Sequence, residues 1–232
     1  MASSSCIITI DGPAGTGKSS VARLLSQRLG MDCLDTGSLY RAVSLLALES
    51  GTDPEDGPAL AILAREVNLH FDWSQDPPAM QIGDRDVSSR IRDLDVSTMV
   101  SPVASQPELR AVLNEAQRMV AQRRPRLVTE GRDQGSVVFP DADVRFFLDA
   151  DEEVRAQRRS LQMSRGGAKV DKDAIRSDIR RRDKSDRSRQ AAPLVQPEGS
   201  ILIDSTSLTL DEVVDRMAEE VGRITGSVWE NS

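Results

Sequence analysis

The chain has 232 residues, of which 38% are hydrophobic and 29% charged, enough for a real hydrophobic core and against wholesale disorder. Its formal charge of -7 argues against binding a nucleic acid polymer, because affinity for a phosphate backbone needs a positive face. Cys6 and Cys33 sit in apolar runs without a disulfide framework, "MASSSC" lacks a basic region before an apolar stretch, and no run is long enough to cross a bilayer; these features predict a cytoplasmic protein without membrane contact.

The run "CIITI" predicts the first strand and the residues from about Lys18 the first helix. Between them "GPAGTGKS", Gly12 to Ser19, satisfies G-x-x-x-x-G-K-[ST] in the strand-to-helix context that this motif requires. Glycines let backbone N–H groups approach phosphate oxygens, and the helix N-terminus adds partial positive charge. The loop Gly12, Pro13, Ala14, Gly15, Thr16, Gly17, Lys18, Ser19 and Ser20 is therefore expected to hold a nucleoside triphosphate. Lys18 would reach the β and γ phosphates, and the Ser19 hydroxyl, with Ser20 beside it, would face Mg²⁺.

After a second strand at "CLD", the segment "DTGSLYR" starts a helix at Thr36 that carries Tyr40 and Arg41 one turn further on, an arrangement that suits a phosphate monoester as well as a simple helix cap. Between about Asn68 and Val87, three short strand-like runs punctuated by Pro, Gly and Asp predict a small antiparallel insertion. Helices are expected at about Ser88 to Ala104 and Pro107 to Arg124. His70, the one histidine, falls in the insertion and is read as structural.

"RLVTE", "VRFFLDA" and "ILID" complete an alternation of strands and helices that predicts a buried parallel sheet with right-handed crossovers and helices on both faces. "VTEGRDQG" puts Glu130, Arg132 and Asp133 at the carboxyl end of a strand, where such sheets bind ligands. From Arg155 to Arg189 there are thirteen Lys or Arg against five Asp, a basic segment inside an acidic protein. In "RRRDKSDRSR" the residues Arg182, Asp186 and Arg189 share a face of a predicted helix, and Asp183 and Arg187 form an i,i+4 pair. Arg155, Arg158 and Arg159 share another face, beside "SRGGAKVD", Ser164 to Asp171, a candidate mobile lid. Residues 227–232 are polar enough to fray. A second anion site beside the triphosphate loop points to phosphoryl transfer onto a phosphate acceptor, whose oxygen is already ionised and needs no histidine base.

In its ordered motifs the chain resembles the bacterial cytidylate kinases of the nucleoside monophosphate kinase group. The matching segments include "IDGPAGTGKSSVA", "DTGSLYRA", "DVSSRIR", "VSPVASQPELRAVLNEAQR", "EGRDQGSVVFPDADVRFFLDA" and "RRDKSDRSRQAAPL". The resemblance implies an α/β P-loop kinase core with a five-stranded parallel sheet flanked by helices, a small antiparallel NMP-binding insertion and a lid. It implies a core over about 1–36, 125–163 and 190–232, the insertion at about 37–124 and the lid region at about 164–189. It implies ATP with Mg²⁺ as donor, CMP and dCMP as acceptors, and a role in pyrimidine nucleotide metabolism; a monomer is expected because no apolar surface stripe stands out beyond the core faces. By similarity Thr36, Tyr40, Arg41, Arg132 and Arg189 would contact the CMP phosphate, Ser101, Arg110 and Asp133 would read cytosine, and Asp186 would hold the ribose. Lys18, Arg132, Arg158 and Arg182 would be catalytic, with Arg182 facing the phosphates and Arg158 belonging to the lid. Thr36 stands where Ser is also usual and Ser136 where Thr is frequent; Lys184 and Ser185 also depart from common patterns. Two other readings are a P-loop kinase for UMP, dTMP or shikimate, and a nucleotide-sensing module without catalysis.

Overall fold

In a computed structural model, residues 5–165 and 171–226 are described. Five runs rich in Ile, Val, Leu and Phe form a parallel sheet: β1 (Cys6–Asp11), β2 (Asp32–Asp35), β6 (Arg126–Gly131), β7 (Val144–Asp149) and β8 (Ile201–Asp204), in the order β2-β6-β1-β7-β8. Both faces are covered, so the inner strands read as nearly continuous apolar runs rather than alternating ones. On one face α1 (Lys18–Leu29) and α8 (Leu210–Thr225) bury Val21, Leu25, Val214 and Met217 against Ile8, Ile10 and Phe146. On the other, α2 (Thr36–Ser50) and α5 (Pro107–Arg123) bring Leu39, Leu45, Leu109 and Leu113 onto Leu34 and Leu127.

The insertion is an antiparallel sheet of β3 (Leu69–Asp72), β4 (Ala79–Ile82) and β5 (Arg85–Asp86), as expected from the turn residues between its runs. A helix that the reading above did not include, α3 (Gly57–Glu66), precedes it. Asp56 caps that helix by accepting from the Ala59 N–H at 3.0 Å, and Pro58 lies in its first turn. The helix expected from Ser88 is shorter: Arg90–Arg92 is a 3₁₀ turn, Asp93 is extended (φ -64°, ψ 158°), and α4 begins only at Leu94 and runs to Ala104.

Two further helices, α6 (Glu152–Arg165) and α7 (Lys172–Ser188), pack on each other through Ala156, Ile175 and Ile179. Arg189 is not part of α7 but its extended cap residue (φ -64°, ψ 143°), so the three-residue face expected there is a helix pair, Arg182 and Asp186, followed by a residue beyond the helix end. The expected lid, Ser164 to Asp171, lies largely on residues 166–170, outside the described residues, as does the tail 227–232. Among the described residues no helix is long and apolar enough to cross a membrane.

Phe146 is fully buried between β1 and β8. Phe146→Ala should destabilise the protein by about 3–5 kcal/mol, from lost transfer energy plus the cavity left behind, measurable by urea unfolding.

Candidate active site

The chain leaves β1 at Asp11 and turns sharply through Gly12 (φ 151°), where a Cβ would lie 2.1 Å from the Leu148 carbonyl oxygen. Only glycine fits that approach. Gly15 and Gly17 are left-handed, and α1 starts at Lys18 directly after Gly17. The Lys18 ammonium is buried and donates to the Pro13 carbonyl at 2.7 Å and to Thr16 Oγ1 at 3.4 Å. Burial pushes its pKa well down, and the Arg132 charge adds to the effect. Ser19 Oγ donates to Glu130 Oε1 at 2.7 Å; the Glu130 carboxyl is held well above the usual carboxylate range by burial and by the Asp35 charge.

The loop is braced from behind. Asp183 Oδ1 accepts from the Ala14 N–H at 2.9 Å, Arg155 donates to the Ala14 carbonyl at 3.0 Å, and the two side chains are ion-paired to each other. Asp183 is therefore not the partner of Arg187: a buried donor on the loop outcompetes a solvent-exposed neighbour on its own helix. Arg155 likewise faces the loop's back rather than the cavity, while Arg158 reaches Thr16 O at 3.3 Å, Ser205 Oγ at 2.9 Å and Ser205 O at 2.7 Å.

In front of the loop, one cavity of about 720 Å³ is lined by Lys18, Ser19, Ser20, Thr36, Tyr40, Arg41, Ser101, Arg110, Arg132, Asp133, Arg158, Arg182, Asp186 and Arg189. The structure thus brings together the loop and the residues read as a second anion site. Gly12 and Pro13 shape the turn without lining the cavity. Asp35, rather than Thr36, caps α2 by accepting from the Ser38 N–H at 3.2 Å; the Thr36 hydroxyl donates to Glu130 O at 2.7 Å. Arg110 Nη2 is paired with Asp133, both almost fully buried, and Arg110 also donates to Ala104 O at 3.0 Å. Arg132 Nε donates to Asp186 Oδ2 at 2.8 Å, Arg189 Nη1 lies 3.6 Å from Asp186 Oδ1, and Ser101 Oγ donates to Ser185 Oγ at 3.2 Å. Arg182 is held by Asp178 at 3.0 Å and by Ser97 O at 3.3 Å.

Charge in this cavity is crowded. The Arg41 guanidinium is pushed down to about 10 by burial and by Arg182, Arg159 and Arg92 around it, despite its bond to Ser97 Oγ at 2.8 Å. Arg159 is lowered by burial and by Arg182. Tyr40 is pushed up to about 12 by burial, and its hydroxyl, like Arg189 Nη2, is a buried polar atom without a hydrogen-bond partner. Converging cations and unpaired buried polar atoms together describe a site built for an anion. His70, by contrast, is on the exposed edge of the insertion, along a separate cleft beside Trp73 and Met119.

The family model described as cytidylate kinase matches residues 8–223. The chain belongs to the cytidylate kinase family. Cytidylate kinase of Mycolicibacterium paratuberculosis is 41% identical over 219 residues, 94% of this chain and 96% of that one. That of Rhodococcus jostii is 41% identical over 231 residues, 98% and 99% of the two chains. Among solved structures, a shikimate kinase from Bacteroides thetaiotaomicron aligns with 93% of this chain and 98% of its own at a TM-score of 0.49 and 12% identity.

Several cavity residues of this cytidylate kinase family member were not among the expected site residues: Asp35, Arg92, Asp178 and the Ser205 to Leu210 turn. In sequence Glu130 is marked only by its place at a strand end, Asp183 only as an i,i+4 partner of Arg187, and Asp11 only as the end of an apolar run. Each is a carboxylate that accepts from a donor more than a hundred residues away in sequence: Ser19 for Glu130, Gln134 for Asp11 and Ala14 for Asp183. Asp183→Ala would leave Arg155 buried without its counter-ion, and it should destabilise the fold by about 3–5 kcal/mol in denaturant unfolding.

Proposed function

We propose that the protein transfers the γ-phosphoryl group of Mg-ATP to CMP and dCMP, giving CDP and dCDP plus ADP, as a monomer in cytoplasmic pyrimidine nucleotide metabolism. The observation that carries this reading is the single cavity in which the phosphate loop faces a second cluster of buried cations beside the Arg110–Asp133 pair. Family membership and relatives named cytidylate kinase support CMP as the acceptor. In this reading residues 1–36, 125–163 and 190–232 form the core, 37–124 the NMP-binding part and 164–189 the lid.

ATP would lie with its β and γ phosphates along the loop from Ala14 to Ser20, over the N-terminus of α1 and against Lys18. The residues present fit Mg²⁺: the Ser19 hydroxyl and the Glu130 carboxylate are hard oxygen donors 2.7 Å apart, and Mg²⁺ needs only one or two protein oxygens beside phosphate and water. When bound, the ion would neutralise charge shared between the β and γ phosphates.

The acceptor phosphate would enter between Tyr40, Arg41, Arg132 and Arg189, with Thr36 at the head of α2 beneath it. It would relieve the mutual repulsion of the guanidinium groups and give a hydrogen-bond partner to the Tyr40 hydroxyl and to Arg189 Nη2, whose nearest carboxylate oxygen, on Asp133, is 4.0 Å away. Asp133, oriented by Arg110, would accept from the cytosine 4-amino group; Ser101 would contribute a hydroxyl and Asp186 would hold the ribose. Uracil would present a carbonyl oxygen to the same carboxylate, acceptor against acceptor.

In the chemical step an ionised oxygen of the acceptor phosphate attacks the γ-phosphorus in line, and the bond to the bridging oxygen of ADP breaks. Lys18, Arg132, Arg158 and Arg182 would stabilise the equatorial oxygens in a site from which water is excluded.

Steady-state phosphotransfer with Mg-ATP and parallel CMP, dCMP, UMP, AMP, dTMP and shikimate, read as ADP formed, should show strong preference for CMP and dCMP. Preference for another acceptor would overturn the base assignment, and ATP binding without turnover would overturn the enzyme itself. Lys18→Ala should lower kcat by about 10²–10³-fold or more. Asp133→Ala should reduce the CMP-to-UMP ratio of kcat/KM by about tenfold or more, with a smaller loss of turnover.

A further inference from the structure

Asp11, the last residue of β1, is fully buried and is not part of the cavity lining. Its carboxylate meets two backbone donors of one turn: Oδ1 accepts from the Gln134 N–H at 2.8 Å and Oδ2 from the Gly135 N–H at 2.7 Å. That turn, Gln134–Val138, is a single π-helical turn capped by Asp133, whose carbonyl accepts from the Val137 N–H at 2.9 Å and the Val138 N–H at 3.1 Å. A carboxylate at the N-terminus of such a turn satisfies N–H groups that have no partner within it and complements their partial positive charge.

We propose that Asp11 is a positioning residue for acceptor recognition, fixing through its two oxygens the turn that directly follows Arg132 and Asp133 against the strand from which the phosphate loop departs. The proposal deepens the CMP kinase reading and rests on it. Three observations favour that role over a general contribution to the core. Both oxygens are used by neighbouring amides, a pattern that a carboxylate satisfies and a carboxamide cannot, because its NH₂ would face a donor. The turn has no slack: a Cβ at Gly135 would come within 2.8 Å of Thr9 Oγ1, and one at Gly131 within 2.9 Å of the Gln134 side chain. Gln134 extends the same hold toward the base site. Its Oε1 accepts from Thr129 Oγ1 at 2.9 Å, and its Nε2 donates to Gln117 Oε1 at 3.0 Å on α5, the helix that carries Arg110.

The charges nearest Asp11 are Asp133 and Lys18. Burial holds its carboxyl up at about 6, against the two amide bonds that stabilise the anion, so keeping a charge here is costly to the fold. The phosphate loop itself is held independently by Asp183 and Arg155 at Ala14. Loosening Asp11 removes one of several charges that favour the Lys18 ammonium but leaves this hold on the loop in place, so the larger effect falls on the acceptor side.

The test is Asp11→Asn, nearly isosteric, with thermal midpoints recorded first. CMP, UMP and a non-hydrolysable ATP analogue are then titrated calorimetrically and kcat/KM is measured for CMP and UMP. CMP affinity and the CMP-to-UMP ratio should each fall about tenfold, while affinity for the ATP analogue changes less than about twofold. A folded variant that keeps its CMP affinity and preference, or that loses CMP and ATP affinity equally, sinks the proposal. In parallel, hydrogen exchange on the unsubstituted protein should show the Gln134 and Gly135 amides as protected as those of β1; exchange at loop rates overturns the proposal even if the variant does not fold. Lack of CMP preference in the unsubstituted protein overturns the kinase reading and this proposal with it, whereas preference retained in both proteins overturns the proposal alone.

Discussion

The parallel pairing of β1 with β6 runs from Cys6 against Arg126 to Asp11 against Gly131, and the rest of the site hangs on that register. Because the two strands end side by side, the phosphate loop and the turn bearing Arg132 and Asp133 leave the sheet as immediate neighbours. On its other side β1 pairs with β7, so the chain diverges at the carboxyl end of β1 and opens the crevice that such sheets use for ligands. Gly12 sits at the point of divergence, pressed against the Leu148 carbonyl of β7. A slip of one residue between β1 and β6 would turn every core side chain to the wrong face and move both halves of the site apart.

Charge is the second constraint. The described cavity gathers guanidinium groups from α2, α5, the residue after β6, α6 and α7, each costly to bury. They are tolerated because carboxylates lie beside them, Asp133 with Arg110 and Asp186 with Arg132, and behind the loop Asp183 does the same for Arg155. Each pairing joins two different elements, so the same contacts that keep the charges tolerable also fix the relative placement of α5, α7 and the sheet. Around Arg41 the compensation is incomplete, and there the cations depress one another.

Strands β1, β6 and β7 and the loop from Gly12 to Ser19 are legible in the sequence because each is a local pattern: an apolar run, then glycines, then Lys and Ser. The basic segment is legible as composition. What local patterns cannot carry is the choice of partner. Asp183 reads as an i,i+4 partner of Arg187 on a helix, yet the folded chain gives it a buried amide and a buried guanidinium at the loop's back. Asp11 reads as the end of a strand, and its partners lie 123 and 124 residues away. Arg189 falls on the predicted helical face but the helix stops one residue earlier. Ser101 and Arg110 look like ordinary helix positions; only resemblance to cytidylate kinases singled them out, and the structure does set both at the cavity. The α3 helix was missed although Asp56 and Pro58 are an ordinary start signal, since the apolar stretch after them is short.

The crowding around Arg41 has a consequence for what can occupy the cavity. A cluster of like charges in a poorly hydrated pocket gains most from a ligand that brings negative charge, and a neutral nucleoside brings none. On the proposed CMP kinase reading, cytidine would have to fill the base site while leaving the crowding of cations around Arg41 as it was before. On that reading the pocket would therefore select by ionisation ahead of shape: the degree of phosphorylation of an incoming molecule would govern its entry, and the identity of the base would be decided among those already admitted.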